Sequence, residues 1–590
     1  MAKLTKVRIK GKMRTLLTWR FSEKVYPNPS NEEVKKAIGR GRKEFEETYL
    51  GKTYPWILSG QTFLPIEDTK TYTTHHPGEP SEIIGKFPDS SCFSKSEVMV
   101  LLAKVRKAGT VFAESVPWPK RIELLCEISK VVEERFWLIV AAFQYETGQS
   151  LMEAIGEVDE KRDFPLAAAL CLEEMHEDLL LPSPKFAGDH NGKRYVPHGV
   201  FLNICPFNFP GAIPMDMACK ALAMGNAIIE KSSDRSSLCG YLVYECIKIA
   251  FERLDIPHEG VLNYVPGKPE VVDLLLASPD IAGVSFTGSS AALDEIKMKH
   301  GQMLRNTYCG KAPLAFGSAE TSGVNIVVVW HDADVARAAE ECVKSFVGRQ
   351  GQKCSSARII MVHERVRHLF VGHLQENLSK LQYGDALYDA DVGPVITADA
   401  GRRIKKTIRD LILHHCVDSS FSKDDTGDYL LHSDDYDEMV PPTVLYATSF
   451  VRHTEKLGEE LMNTEIFGPV ATVITVSDLD EVKRLRDLSE FALTSSAFSR
   501  DPDTCITLNK ILRTGNTYQN RKCTGALVET ECFGGARSRS GSGEKGKAQL
   551  LKFGSMLVHP GFYDWSWTDT KRAEFIKKME DELGIVFSKT

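Results

Sequence analysis

Three consecutive stretches decide the fold: Y-V-P-H-G-V-F-L-N-I-C-P (195–206), P-G-A-I-P-M-D-M-A-C-K-A-L-A-M-G-N (210–226) and N-A-I-I-E-K (226–231). The first reads as a strand. The second is long enough for a helix, and Gly225 ends it. The third reads as a strand again. The pattern continues with helix S-L-C-G-Y-L-V-Y-E-C-I-K-I-A-F-E-R-L, strand V-L-N-Y-V, a short helix and strand I-A-G-V-S-F. Such alternation predicts a parallel sheet with crossover helices. Sheets of that kind bind ligands beyond the carboxyl ends of their strands. Two of those ends are polar here, at 205–208 and 287–289. A second alternating block, 325–520, carries N-I-V-V-V-W, R-I-I-M-V and V-A-T-V-I-T-V. Upstream, 30–50 and 94–180 repeat apolar residues at helical spacing, and 54–88 reads as short strands and turns.

The chain has 590 residues, more than one core accommodates, so roughly two to four domains are expected. A net charge of −7 argues against a dedicated nucleic-acid binder. The longest apolar run, 136–143, is too short to span a bilayer, so no membrane partner is expected. The cysteines are scattered, with no C-x-x-C pair, which points to free thiols in a reducing, cytoplasmic compartment. Residues 1–22 carry seven basic residues and no acid. Their K-V-R-I-K alternation reads as a strand or arm, with a mitochondrial transit peptide as the alternative.

Some motifs mislead. Gly541-x-Gly543-x-x-Gly546 matches the dinucleotide fingerprint and nearly matches a P-loop, but Ala548 stands where Ser or Thr must hold magnesium. No strand leads into these glycines, so the segment reads as a loop. The pairs His75-His76 and His414-His415 lack a second ligand pair at metal-site spacing, so no metal site is expected.

Q-G-Q-K-C-S-S (350–356) places Cys354 in a polar turn, although a free cysteine ordinarily hides in a core. A thiol there is placed to react. Aldehyde oxidation asks for a thiolate, donors for the oxyanion, a hydride acceptor and a carboxylate base to activate water. P-F-N-F-P (206–210), S-F-T-G-S (285–289), G-Q-K-C-S (351–355) and E-I-F-G-P-V (465–470) stand in an order and separation that resemble the aldehyde dehydrogenase superfamily over nearly the whole chain. The resemblance implies an α/β fold with a Rossmann-like NAD domain (1–186 and 203–318), an α/β catalytic domain (319–539), a small β oligomerisation flap (187–202 and 540–562) and a tail (563–590). It implies a homodimer or higher homo-oligomer. It makes Cys354 the nucleophile, with its own N–H and the Asn208 amide as the oxyanion hole. Cys205, Phe207, Lys231, Asp234, Gly288, Ser289, Glu465 and Phe467 become the NAD contacts. An acid at 234 accepts from a ribose 2′-hydroxyl and repels a 2′-phosphate, favouring NAD over NADP.

For the base, A-E-T-S-G-V-N-I-V-V-V (319–329) matches the family better than C-G-K-A-P (309–313), which would leave Thr307 in the role. Glu320 is therefore the expected base. Ser322 and Val324 stand where the family usually has Gly and Lys.

Within the superfamily, Y-L-G-K-T-Y-P (49–55), S-S-D-R-S-S-L-C-G-Y-L-V-Y (232–244) and G-N-T-Y-Q-N-R-K-C-T-G-A-L-V (515–528) resemble the 1-pyrroline-5-carboxylate dehydrogenases most. That resemblance implies oxidation of glutamate γ-semialdehyde to glutamate, in proline catabolism. The backbone N–H groups of Gly525 and Ala526, with Ser355, would hold the substrate carboxylate. Phe209 and Phe533 would wall its chain, and Glu157 would meet its ammonium. Glu529 and Glu531 depart from the family pattern, and acids beside a carboxylate anchor are expected to repel an anionic substrate. The alternatives are another semialdehyde or a hydrophobic aldehyde, a coenzyme-A-acylating enzyme, or a catalytically degenerate structural subunit.

Overall fold

The computed structural model describes residues 27–65, 70–90, 93–177, 189–300, 304–307, 310–388, 390–414, 417–418, 437–447, 454–528, 530–536, 539–541, 543, 546–562, 568–583 and 586–587. The basic stretch 1–22, Glu529, and the His415–Cys416 pair lie outside these. Two seven-stranded sheets form the body, as the two alternating blocks predict. In the first, Ala315–Glu320, Ile281–Thr287, Val200–Ile204, Ala227–Lys231 and Leu262–Tyr264 run parallel in that order, and the hairpin Trp56–Leu58, Gln61–Phe63 closes the edge antiparallel. Val200–Ile204 is buried on both faces, which is why it reads as an unbroken apolar run. The expected helix after it spans Ala212–Ala223. Helices Lys95–Ser115, Trp118–Glu134, Phe136–Thr147 and Leu151–Glu177 supply the upstream helical block. Ser94 opens the first of these with a capping box to Glu97.

The second sheet orders Val417–Asp418, Thr443–Ala447, Val470–Val476, Ala357–His363, Asn325–Val329, Thr494–Phe498 and Asn516–Gln519, all parallel except the first. A third sheet pairs Gly554–Phe562 and Val586–Phe587 with Asp189–Pro197.

These sheets shift the expected boundaries. Val200–Ile204 belongs to the first sheet, so the flap strand ends at Pro197. Ala315–Glu320 also belongs there, so the second unit begins between 320 and 325 rather than at 319. Residues 547–553 form a short helix and turn, not flap strand. Their Phe553 ring stands 4.6 Å from Phe201 in the first core. Within the expected tail, Val586–Phe587 pairs with Asp189–Pro197 in the third sheet.

Among the described residues, no helix is long and apolar enough to cross a membrane, and no group of three or more His, Cys, Asp and Glu stands ready for a metal. His76 is packed between Asp385, at 3.0 Å, and the Tyr145 carbonyl, at 2.8 Å.

Candidate active site

The loops ending both sheets meet at Cys354. After helix Val335–Val347 the chain turns through Arg349 (φ 55°), Gln350 (φ 54°) and Gly351 (φ 67°). Left-handed backbone costs a non-glycine residue about 1–2 kcal/mol, so side-chain contacts must hold this turn. Gln350 donates to the Gly148 carbonyl, and Arg349 binds Glu157 and Gln149. At Gly351 any Cβ would lie 1.9 Å from the Gly468 carbonyl oxygen. The G-Q-K-C and E-I-F-G-P loops are thus in backbone contact. Buried Arg358 clamps them, donating to the carbonyls of Gly468 (2.7 Å), Gly351 and Lys353 (3.2 Å).

Cys354 is half-buried. Asn325 Nδ2 holds its carbonyl at 2.7 Å and that of Ser356 at 2.8 Å. Gly323 lets this carbonyl approach, since a Cβ there would sit 2.2 Å from it. Asn208 Nδ2 donates to the Gln352 carbonyl at 2.8 Å, and an amide carries a second hydrogen for a ligand. Burial pushes the Cys354 thiol up to about 12, with Glu465 and then Glu320 adding to the rise. Both carboxylates therefore act on the sulfur. Burial also raises the Glu465 carboxyl, opposed by Arg358, the Gly323 N–H (3.0 Å) and the Ser322 hydroxyl. Glu320 ends its strand, where its Oε2 accepts from the Gly535 N–H at 3.1 Å. Its backbone bridges Gly541, so part of the misleading glycine motif packs against the expected base.

A cavity of about 350 Å³ opens from Cys354. Glu157, Phe209, Ser355, Gly525, Ala526 and Phe533, all expected around a substrate, line it together. Glu157, expected to meet a substrate ammonium, already has protein partners. It is buried, and its carboxylate is engaged by Arg349, Gln149 and the N–H groups of Gly211 and Ala212. Glu531, expected to repel an anionic substrate, is itself paired. Glu531 pairs with Arg521 at 2.6 Å and accepts from the Leu527 N–H, so its charge is balanced and it closes the 521–531 loop.

The expected cofactor residues sit at neighbouring strand ends. Cys205 N–H donates to the Lys231 carbonyl at 3.0 Å. The Cys205 thiol turns inward to Glu230, at 2.7 Å. Burial pushes the Glu230 carboxyl up to about 7. Burial lowers the Lys231 amine, and Asp234 opposes that shift. Gly288 N–H donates to the Glu320 carbonyl at 3.2 Å, and Ser289 precedes helix Ser290–His300, its hydroxyl accepting from the Ala292 N–H at 3.3 Å. A helix start suits phosphate. Phe207 and Phe467 meet edge-on at 6.0 Å. An amine and a carboxylate at one strand end, a helix start at the next and Glu465 across the gap fit a dinucleotide in donor chemistry.

Sequence reasoning missed Arg349, Lys353, Lys522 and Glu153 on the cavity wall. Lys353 and Arg349, then Lys522, outweigh burial and hold the Glu153 carboxyl down at about 2. Only adjacency to Cys354 and to T-G-A-L could have singled out Lys353 and Lys522. The two departures near Glu320 find uses: Ser322 bonds Glu465, and Val324 is buried in the second core.

Residues 65–556 match the aldehyde dehydrogenase family. A 1-pyrroline-5-carboxylate dehydrogenase of Staphylococcus epidermidis is 27% identical over 534 residues, covering 90% of this chain and 95% of that protein. One from Bacillus pumilus is 27% identical over 537 residues, covering 91% and 98%. The solved structure of a 1-pyrroline-5-carboxylate dehydrogenase from Thermus with bound NAD superposes with a TM-score of 0.79 at 27% identity, covering 92% of this chain and 98% of that one. The chain belongs to the aldehyde dehydrogenase family.

Proposed function

We propose that the protein oxidises glutamate γ-semialdehyde to glutamate with NAD, through a thioester on Cys354, as a step of proline catabolism. The observation that carries this reading is the single cavity in which Cys354, the Gly525–Ala526 turn, Ser355 and the two phenylalanines converge. Backbone amides and a hydroxyl bind a carboxylate without a full positive charge. Phe209 and Phe533 suit the short aliphatic chain between carboxylate and aldehyde.

Cys354 Sγ attacks the carbonyl carbon as a thiolate. The free hydrogen of the Asn208 amide and the Cys354 N–H hold the resulting oxyanion. Lys231, Asp234, Ser289 and Glu465 would hold NAD, which would supply the hydride acceptor when bound. Loss of hydride leaves an acyl thioester on Cys354. Glu320 takes a proton from water, which attacks the thioester carbon. The tetrahedral adduct collapses, expels the thiolate and releases the acid. Asp234 favours NAD over a 2′-phosphorylated cofactor. The flap strand Gly554–Phe562 exposes Met556 and Val558, which supports its reading as an oligomer contact.

The test compares kcat/KM for glutamate γ-semialdehyde with that for pentanal, which has no carboxylate. A charge-assisted anchor predicts a preference of roughly tenfold to a hundredfold or more. Equal efficiency would move the reading to hydrophobic aldehydes.

A further inference from the structure

Glu157 is the residue that a substrate ammonium would be expected to meet, and its carboxylate is fully engaged. Oε1 accepts from the N–H groups of Gly211, at 2.8 Å, and Ala212, at 3.2 Å. Oε2 accepts from Gln149 Nε2, at 2.8 Å, and from Arg349 Nη1, at 2.7 Å. A carboxylate offers about four lone-pair sites, so these donors saturate it. Arg349 is itself buried, with Nη2 on Gln149 Oε1 at 2.9 Å and Nη1 also on the Asn208 carbonyl. Its guanidinium carbon stands 3.8 Å from the centre of the Phe209 ring. A left-handed backbone at Arg349 and Gln350 delivers the side chain there. This is a built arrangement, not a surface side chain folded inward.

The rest of the wall is no better suited to an ammonium. Glu153, half-exposed, pairs with Lys353 at 2.8 Å and lies 3.8 Å from Arg349. The Lys522 amine lies beside the anchor turn, 3.7 Å from where a Gly525 Cβ would stand. Cations therefore gather at the end that takes the carboxylate, and Arg349 has replaced the substrate as the partner of Glu157.

We propose that Arg349 is a specificity-determining residue that makes the cavity read the carboxylate of its substrate and ignore the α-ammonium. The substrate class widens to short ω-oxo carboxylic acids with or without an α-amino group. This rests on the carboxylate-aldehyde reading above.

The experiment measures kcat/KM, by NADH formation, for glutamate γ-semialdehyde and for its deaminated analogue 5-oxopentanoate. The native protein should turn over the two within about tenfold. In R349Q, Glu157 is released toward the cavity, and the ratio should shift in favour of the amino substrate by roughly tenfold to a hundredfold, the worth of one hydrogen bond to a charged group. R349K keeps the cation and should keep the native ratio. The double variant R349Q/E157Q should lose the gained preference, which a merely structural disturbance would not do. Thermal melting of each variant checks folding, and the native ratio decides by itself if R349Q does not fold. A native preference above a hundredfold for the amino substrate, or a folded R349Q with the native ratio, would overturn the proposal. Absence of NADH with both compounds would instead sink the carboxylate-aldehyde reading beneath it.

Discussion

Alkylation of Cys354 by iodoacetamide should follow an unusual pH profile in the cofactor-free protein. Only the thiolate reacts. Burial, with Glu465 and then Glu320 adding to it and its own N–H and that of Ser355 opposing, pushes this thiol up to about 12. At pH 8, about one molecule in ten thousand carries the thiolate, against roughly one in four for an ordinary cysteine near 8.5. The Cys354 peptide, followed by mass spectrometry, should therefore react about a thousandfold more slowly than free cysteine at pH 8. The rate should rise about tenfold per pH unit from 7 to 9.5 without a plateau. E465Q removes the larger of the two repelling charges and should speed alkylation roughly tenfold, with E320Q giving a smaller gain. A plateau with a midpoint at 8.5 or below, or slower alkylation in E465Q, would refute the reasoning that the two carboxylates act on the sulfur.

N208A should lower kcat by roughly a hundredfold to a thousandfold, the loss of one oxyanion donor, with NAD binding by fluorescence little changed. G351A should destabilise the protein by about 2–5 kcal/mol in a urea titration and abolish turnover, because a Cβ at this left-handed position meets the Gly468 carbonyl. E531Q should raise KM for the carboxylate aldehyde roughly threefold to tenfold while kcat holds, because Glu531 shapes the anchor turn through Arg521 and Leu527 without touching the carbon that reacts.

The doubly alternating architecture was legible because unbroken buried runs such as Val200–Ile204 and Asn325–Val329 are local signals, and so are the helices between them. The four motif loops were legible for a similar reason: each is a short string of turn and site residues at a strand end. What stayed hidden is long-range. Arg349 reads locally as one more polar residue in a turn, and its partner Glu157 stands 192 positions away. Its left-handed backbone carries no glycine to announce it. Glu531 looked like a charge opposed to the substrate until Arg521, ten positions earlier, folded back onto it. Ser322 and Val324 read only as departures from the family pattern beside Glu320, and the packed structure gives one a carboxylate to bond and the other a core to fill. The flap limits were blurred because 195–206 reads as one strand, while the chain leaves one sheet at Pro197 and enters another at Val200.

The most direct test of the central claim follows NADH absorbance with purified protein, NAD and glutamate γ-semialdehyde, beside C354A. Turnover in the native protein that vanishes in a folded C354A is the predicted result. Turnover that survives in C354A, or a native protein inert toward every aldehyde, would contradict the assignment of Cys354 as the nucleophile of an aldehyde oxidation.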